Sequence, residues 1–257
     1  MTRCPFEFLQ PKAPRALLLH FHGGAWVIGN SKIDDYWNAE YVRRCGVAVA
    51  SADFHLATDD DLARTIRDAH IFTEWALDSL PDFGVDTLFV EGESSGAYLA
   101  ASSLVQLSRS RSVESVAGFI SFCGAFDFAG PASLRTASDS LGIDPQAAAR
   151  NLGRLLEGSP SLSVDDPAVS PLLADLRKMP PALFIAGERD PIIGDSRSMH
   201  AYWHDAAGNA DLLIVPEGPH GFERFPTKLA ARTKTVVVEW INRRLRNDRQ
   251  EASLMRT

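Results

Sequence analysis

The chain has 257 residues, 45% of them hydrophobic and 23% charged, with a formal net charge of −7; these proportions suit one globular domain with a well-buried core and exclude a fibrous or disordered chain. The acidic balance, with no clustered lysine and arginine, counts against nucleic acid as a partner. Three cysteines, Cys4, Cys45 and Cys123, lack CxxC spacing, and no stretch resembles a secretion signal or reaches the ~20 apolar residues of a membrane span, so neither a disulfide framework, a zinc site nor a membrane partner is expected and the cytoplasm is the expected location.

Residues 4–9 are strand-like, and the proline-rich link 10–14 is expected to turn them back as an edge hairpin onto the first central strand at 16–21. Further runs rich in Val, Ile, Leu and Phe follow at 47–52, 87–91, 117–122, 182–186 and 211–215. They are continuous rather than alternating in polarity, as parallel strands covered on both faces are. Helical patterns lie between them at 34–45, 62–79, 97–108, 196–207 and 228–246, with a polar tail over 247–257 expected to fray. Strand and helix in alternation predict a single α/β domain over 1–257, a doubly wound, mostly parallel sheet with right-handed crossovers.

The rhythm breaks at 127–180, where two short helices are expected at 132–141 and 145–157 with no strand between them. Asp144 caps the second, and Pro145 suits its first position. This insertion is expected to lie over the strand ends as a small helical lid.

Chemistry concentrates where strands end. Gly92-Glu93-Ser94-Ser95-Gly96 stands between a predicted strand and a predicted helix. The pattern alone describes any turn of small residues, but in that setting it exposes a serine hydroxyl at a helix N-terminus, where backbone N–H groups and the helix dipole favour developing negative charge. His22-Gly23-Gly24-Ala25-Trp26 follows the first central strand. It suits an oxyanion hole with the amides of Gly24, Ala25 and Ser95 as donors and Gly23 as the source of loop freedom, or else a flexible turn beside a core tryptophan.

A serine hydroxyl needs a base, and the base needs an orienting acid. His220 lies in a Pro-Gly loop after the strand at 211–215, whereas His20 and His22 lie in or beside a strand, His55 in a loop, and His70, His200 and His204 in helical patterns. Asp190 follows the strand at 182–186; its competitor Asp195 is expected to cap the helix that begins at Ser196. Trp26, Ile192 and Phe222 are the candidate substrate contacts, with Val27, Ile28 and Ile193 nearby, and each of them also suits a core position.

HGGAW, GESSGAYLA, GERDPIIGDS, GPHGF and the stretch from Ser170-Pro171-Leu172-Leu173 to Pro181 together resemble the hormone-sensitive-lipase-like carboxylesterase branch of the α/β-hydrolases, from about Ala16 to the last helix. The order Ser94, Asp190, His220 is also that family's. The resemblance implies a cofactor-free and metal-free serine hydrolase of carboxylic esters, with short to medium acyl chains preferred in a small-molecule acyl substrate. Three departures stand out: Ala25 replaces the third glycine, the DYRLAPE stretch reads Asp53-Phe54-His55-Leu56-Ala57-Thr58-Asp59, and only fifteen residues precede position 16, so a more open site is expected. Asp53 is expected to help hold the oxyanion loop. HGGxW also resembles kynurenine formamidases and some prenylcysteine methylesterases, which keeps arylformamide hydrolysis as the alternative. A non-catalytic small-ligand receptor and an acyltransferase on the same fold are the other two, and a homodimer is compatible with all of them.

Overall fold

A computed structural model describes residues 6–128, 142–167 and 169–254. The described strands are β1 (Phe6–Leu9), β2 (Leu17–Phe21), β3 (Ala48–Ala52), β4 (Leu88–Glu93), β5 (Val116–Phe122), β6 (Ala182–Gly187) and β7 (Ala210–Val215). The described helices are α1 (Asp35–Cys45), α2 (Leu62–Asp78), α3 (Ser95–Ser110), α4 (Pro145–Gly158), α5 (Ile193–Ala207) and α6 (Lys228–Leu254). The strands form one seven-stranded sheet in the order β1-β3-β2-β4-β5-β6-β7, parallel throughout except for β1.

Successive strand residues point to opposite faces, and both faces are covered, which is why the runs are continuously apolar. Leu17, Leu19, Val90 and Phe184 pack under the α2, α3 and α5 layer with Phe72, Leu104 and Trp203. Leu18, Phe89 and Ile185 turn the other way, to Trp37 and Tyr41 of α1 and to Val237 and Trp240 of α6. The two edge strands, β1 and β7, are partly exposed along their length. Among the described residues no helix is long and apolar enough to cross a membrane.

Three expectations change. β1 does not form a hairpin with β2; it pairs antiparallel with β3, from Phe6 opposite Ala52 to Leu9 opposite Val49. Both edges of β2 are already taken by β3 and β4, so the only open edge on that side is the outer edge of β3. The last helix runs to Leu254 rather than ending at Arg246. α5 starts at Ile193, three residues ahead of Ser196, and this places Asp195 inside its first turn instead of at its cap.

The helix expected at 132–141 lies outside the described residues. α4 forms as expected: Asp144 Oδ1 accepts the backbone N–H groups of Gln146 (2.9 Å) and Ala147 (3.0 Å), and Pro145 opens the helix. Two contacts moor α4. Arg154 ion-pairs with Asp60, and the Ser159 hydroxyl donates to the Asp60 carbonyl at 2.8 Å while accepting from the Leu62 amide at 2.9 Å.

Candidate active site

Ser94 stands between β4 and α3 with φ 53° and ψ −118°, a region that L-residues seldom occupy. The strain is held by packing on every side. A Cβ on Gly96 would lie 2.1 Å from the Phe21 carbonyl oxygen, and one on Gly92 would lie 2.4 Å from the Gly96 carbonyl carbon. The two glycines of the motif are therefore required by the close approach of α3 to β2 and of the turn to itself. The Ser94 amide donates to the Phe122 carbonyl at 2.8 Å, which pins the turn to β5.

From β6 and β7 two loops converge on that turn. The Glu188 amide donates to the Val215 carbonyl and the Arg189 amide to the Gly218 carbonyl, both at 2.9 Å, so the loops lie side by side. As a result, His220 Nδ1 meets Asp190 Oδ2 at 3.0 Å and its Nε2 meets Ser94 Oγ at 3.0 Å. Asp190 Oδ1 accepts the Ile192 amide at 2.9 Å, and the acid and the histidine are both buried. Burial opposes a charge on His220, but the Asp190 carboxylate, with Glu93 and Glu223 behind it, outweighs burial and lifts its pKa to about 9. Cys123 Sγ lies within 4.8 Å of this pair, and burial pushes its thiol well up. Both ring nitrogens of His220 are already committed to Asp190 and Ser94.

A base that must be neutral to accept a proton works only above its own pKa. Ester kcat/KM is therefore expected to rise with pH along an acid limb centred above 6.5. Asp190→Asn, which removes the charge responsible, should move that limb to lower pH. A wild-type midpoint at or below 6.5 in a pH–rate profile would contradict this placement of charge.

The loop after β2 lies against the serine turn. Gly24 has φ +121°, which only glycine takes without strain, and Ala25 and Trp26 follow in the left-handed region at 53° and 65°. Ala25 therefore keeps the unusual backbone that a glycine would adopt freely. Gly23 is different from what was expected: it has no positive φ, and a Cβ there would lie 1.8 Å from Glu93 Oε2. Its role is to leave space. The Trp26 amide donates to Ser95 Oγ at 3.3 Å, and Asn151 Nδ2 of α4 donates to the Ala25 carbonyl at 3.0 Å. Among the described residues none accepts the backbone N–H of Gly24, Ala25 or Ser95. The Asp53 carboxylate accepts the Ser31 amide at 3.3 Å, in the segment that follows this turn.

A cavity opens beside Ser94, walled among the described residues by Trp26, Phe128, Ile143, Leu152 and Ile192. Trp26 presses edge-on against Tyr98, with ring centroids 5.6 Å apart. Of the three candidate substrate contacts, Trp26 and Ile192 line this space and Phe222 does not. Phe222 is buried among the residues packed under α1 and α6, because the short helical turn after Gly221 folds its ring inward. Val27 packs against the core, while Ile28 is exposed.

Several groups at the site carry no signature in the sequence. Behind the serine turn, Arg224 bridges Glu93 (2.8 Å) and Asp34 (3.1 Å); Asp34 in turn meets His20 Nε2 at 3.1 Å, and His20 Nδ1 meets Glu91. Burial disfavours a charge on His20, but Glu91 and Asp34 overcome it and raise its pKa to about 10. Glu91, Asp34 and Glu93 thus each face a cation, while Glu223, also buried, has neither carboxylate oxygen partnered among the described residues. His22 is buried without such partners, its pKa falls to about 4, and its ring stacks on Phe54. The remaining histidines, His55, His70, His200 and His204, lie away from Ser94, which leaves His220 as its basic neighbour.

Comparison with known proteins identifies the fold family. A family model described as the alpha/beta hydrolase fold matches residues 18–224. An arylesterase from Saccharolobus solfataricus is 26% identical over 91% of this chain and 77% of its own length, and an ethyl acetate hydrolase from Pseudomonas putida is 26% identical over 83% and 68%. Among solved structures, a hormone-sensitive lipase from a metagenome library superposes with a TM-score of 0.83 at 21% identity, covering 94% of this chain and 83% of its own.

Proposed function

Since this chain belongs to the α/β-hydrolase fold family, we propose that it is a serine hydrolase of carboxylic esters that works through Ser94, His220 and Asp190. The observation that carries this reading is the relay from Asp190 through His220 to Ser94, two contacts of 3.0 Å, ending on a strained serine beside an apolar cavity. The names of its arylesterase and ethyl acetate hydrolase relatives support the same bond class.

In the proposed reaction His220 Nε2 takes the Ser94 proton as Oγ bonds to the acyl carbon. Asp190 holds the ring in the required tautomer and stabilises the imidazolium. The amides of Gly24, Ala25 and Ser95 receive the oxyanion, a contribution of about 2.7–4 kcal/mol for each donor. The alcohol leaves with the proton held by His220; water then attacks the acyl-enzyme, giving its proton to the same nitrogen and releasing the acid and Ser94. Residues of α4, together with Trp26 and Ile192, would seat a short to medium acyl or alcohol portion.

Turnover of p-nitrophenyl acetate, butyrate and octanoate measured beside N-formylkynurenine tests this directly. The expected result is ester hydrolysis with acetate or butyrate preferred over octanoate, with Leu152 and Phe128 walling the space beside Ser94. Preference for the formamide would replace the ester reading with the amide one. Turnover of none of the four by the folded protein, together with no labelling of Ser94 by a fluorophosphonate, would favour a receptor.

A further inference from the structure

Asp195 is fully buried, 2% exposed, in the first turn of α5, yet it caps nothing there. Its Oδ2 accepts two backbone amides from the loop after β5, those of Phe126 (2.6 Å) and Asp127 (2.9 Å). Its Oδ1 has no hydrogen-bond partner among the described residues. The residue also lines the cavity that opens on Ser94, as does Asp127, and among the described lining residues there is no lysine, arginine or histidine.

We infer that Asp195 selects substrates whose portion seated in this cavity carries a protonated amine. A buried carboxylate with an unused oxygen is costly to leave alone, and a cationic N–H donor brought in by the substrate supplies what the fold omits. Burial, with the Asp127 and Asp190 carboxylates nearby, pushes the Asp195 carboxyl up to about 7, against the pull of the two backbone amides. Apolar walls on the other sides suit the alkyl groups of such an amine and exclude water from the pair. The inference rests on the ester-hydrolase reading and adds a substrate class to it.

Two esters of nearly identical shape separate charge from size: 2-(dimethylamino)ethyl butyrate and 3-methylbutyl butyrate, compared by kcat/KM at neutral pH. The wild type is expected to favour the amine ester by about tenfold to a hundredfold, the range of one charge-assisted hydrogen bond. Asp195→Asn keeps an oxygen for the Phe126 and Asp127 amides and is expected to bring the ratio close to one. A wild-type ratio of one or less, or a ratio that Asp195→Asn leaves unchanged, overturns the inference while the hydrolase reading stands. Turnover of neither ester overturns both. The wild-type ratio needs no variant, so the test survives a failure of Asp195→Asn to fold.

Discussion

Ser94→Ala and His220→Ala are each expected to lower ester kcat by about 10⁴- to 10⁶-fold, with KM changed little. The reason is that the two side chains act as one unit: the hydroxyl is a weak nucleophile without the ring 3.0 Å away, and the ring has nothing to deprotonate without the hydroxyl. The double variant should then be no slower than the slower single one. Each variant should also keep a residual rate above uncatalysed hydrolysis, because the loop amides and the cavity remain. Steady-state rates on p-nitrophenyl butyrate check this, with circular dichroism to confirm folding. Losses that multiply in the double variant, or a loss under about a hundredfold in either single one, would mean that some other group carries the reaction.

Gly96→Ala is expected to destabilise the whole fold by about 3 kcal/mol or more, lowering Tm by roughly 10 °C. The added methyl group would occupy the space of the Phe21 and His22 carbonyl oxygens, 2.1 and 2.5 Å away, which are backbone atoms at the end of β2 and just after it. α3 can then only move off the sheet, which opens the best-packed layer of the protein. Gly153→Ala supplies the contrast, since a Cβ there meets nothing within 4 Å on α4 and should stabilise by about 0.5–1 kcal/mol through helix propensity. Calorimetry of the pair separates the two effects. A Gly96→Ala Tm within about 2 °C of wild type would show that strand and helix can part cheaply.

The legible part of this molecule is the part written in contiguous residues. Each buried parallel strand announces itself by a continuous apolar run, and the serine turn and oxyanion loop announce themselves by glycines that the packing of α3 on β2 and of Glu93 on Gly23 demands. Asp190 and His220 stand out in the sequence because each follows a strand at the same end of the sheet. What stayed hidden depends on the third dimension. The choice of β3 rather than β2 as partner for β1 depends on which edge is left open, and local sequence does not encode that. Phe222 and Ile192 are equally apolar, yet one faces α6 and the other the cavity, according to the turn each loop makes. Asp195 has the spacing of a helix cap, and only the approach of the loop after β5 gives its carboxylate other amides to hold. The links from Arg224 to Glu93 and Asp34 span 131 and 190 residues of chain, beyond the reach of any local pattern.

The bond from Asn151 to the Ala25 carbonyl makes α4 and the oxyanion loop mechanically one part. α4 walls the cavity through Ala148 and Leu152 on the same face that carries Asn151. A guest too bulky for the cavity must therefore push on the helix that braces the loop, and the loop would be displaced along with its wall. Misfit would then be felt as slow turnover rather than as weak capture, so this enzyme would discriminate among substrates by how well the catalytic apparatus assembles around them more than by how tightly it holds them.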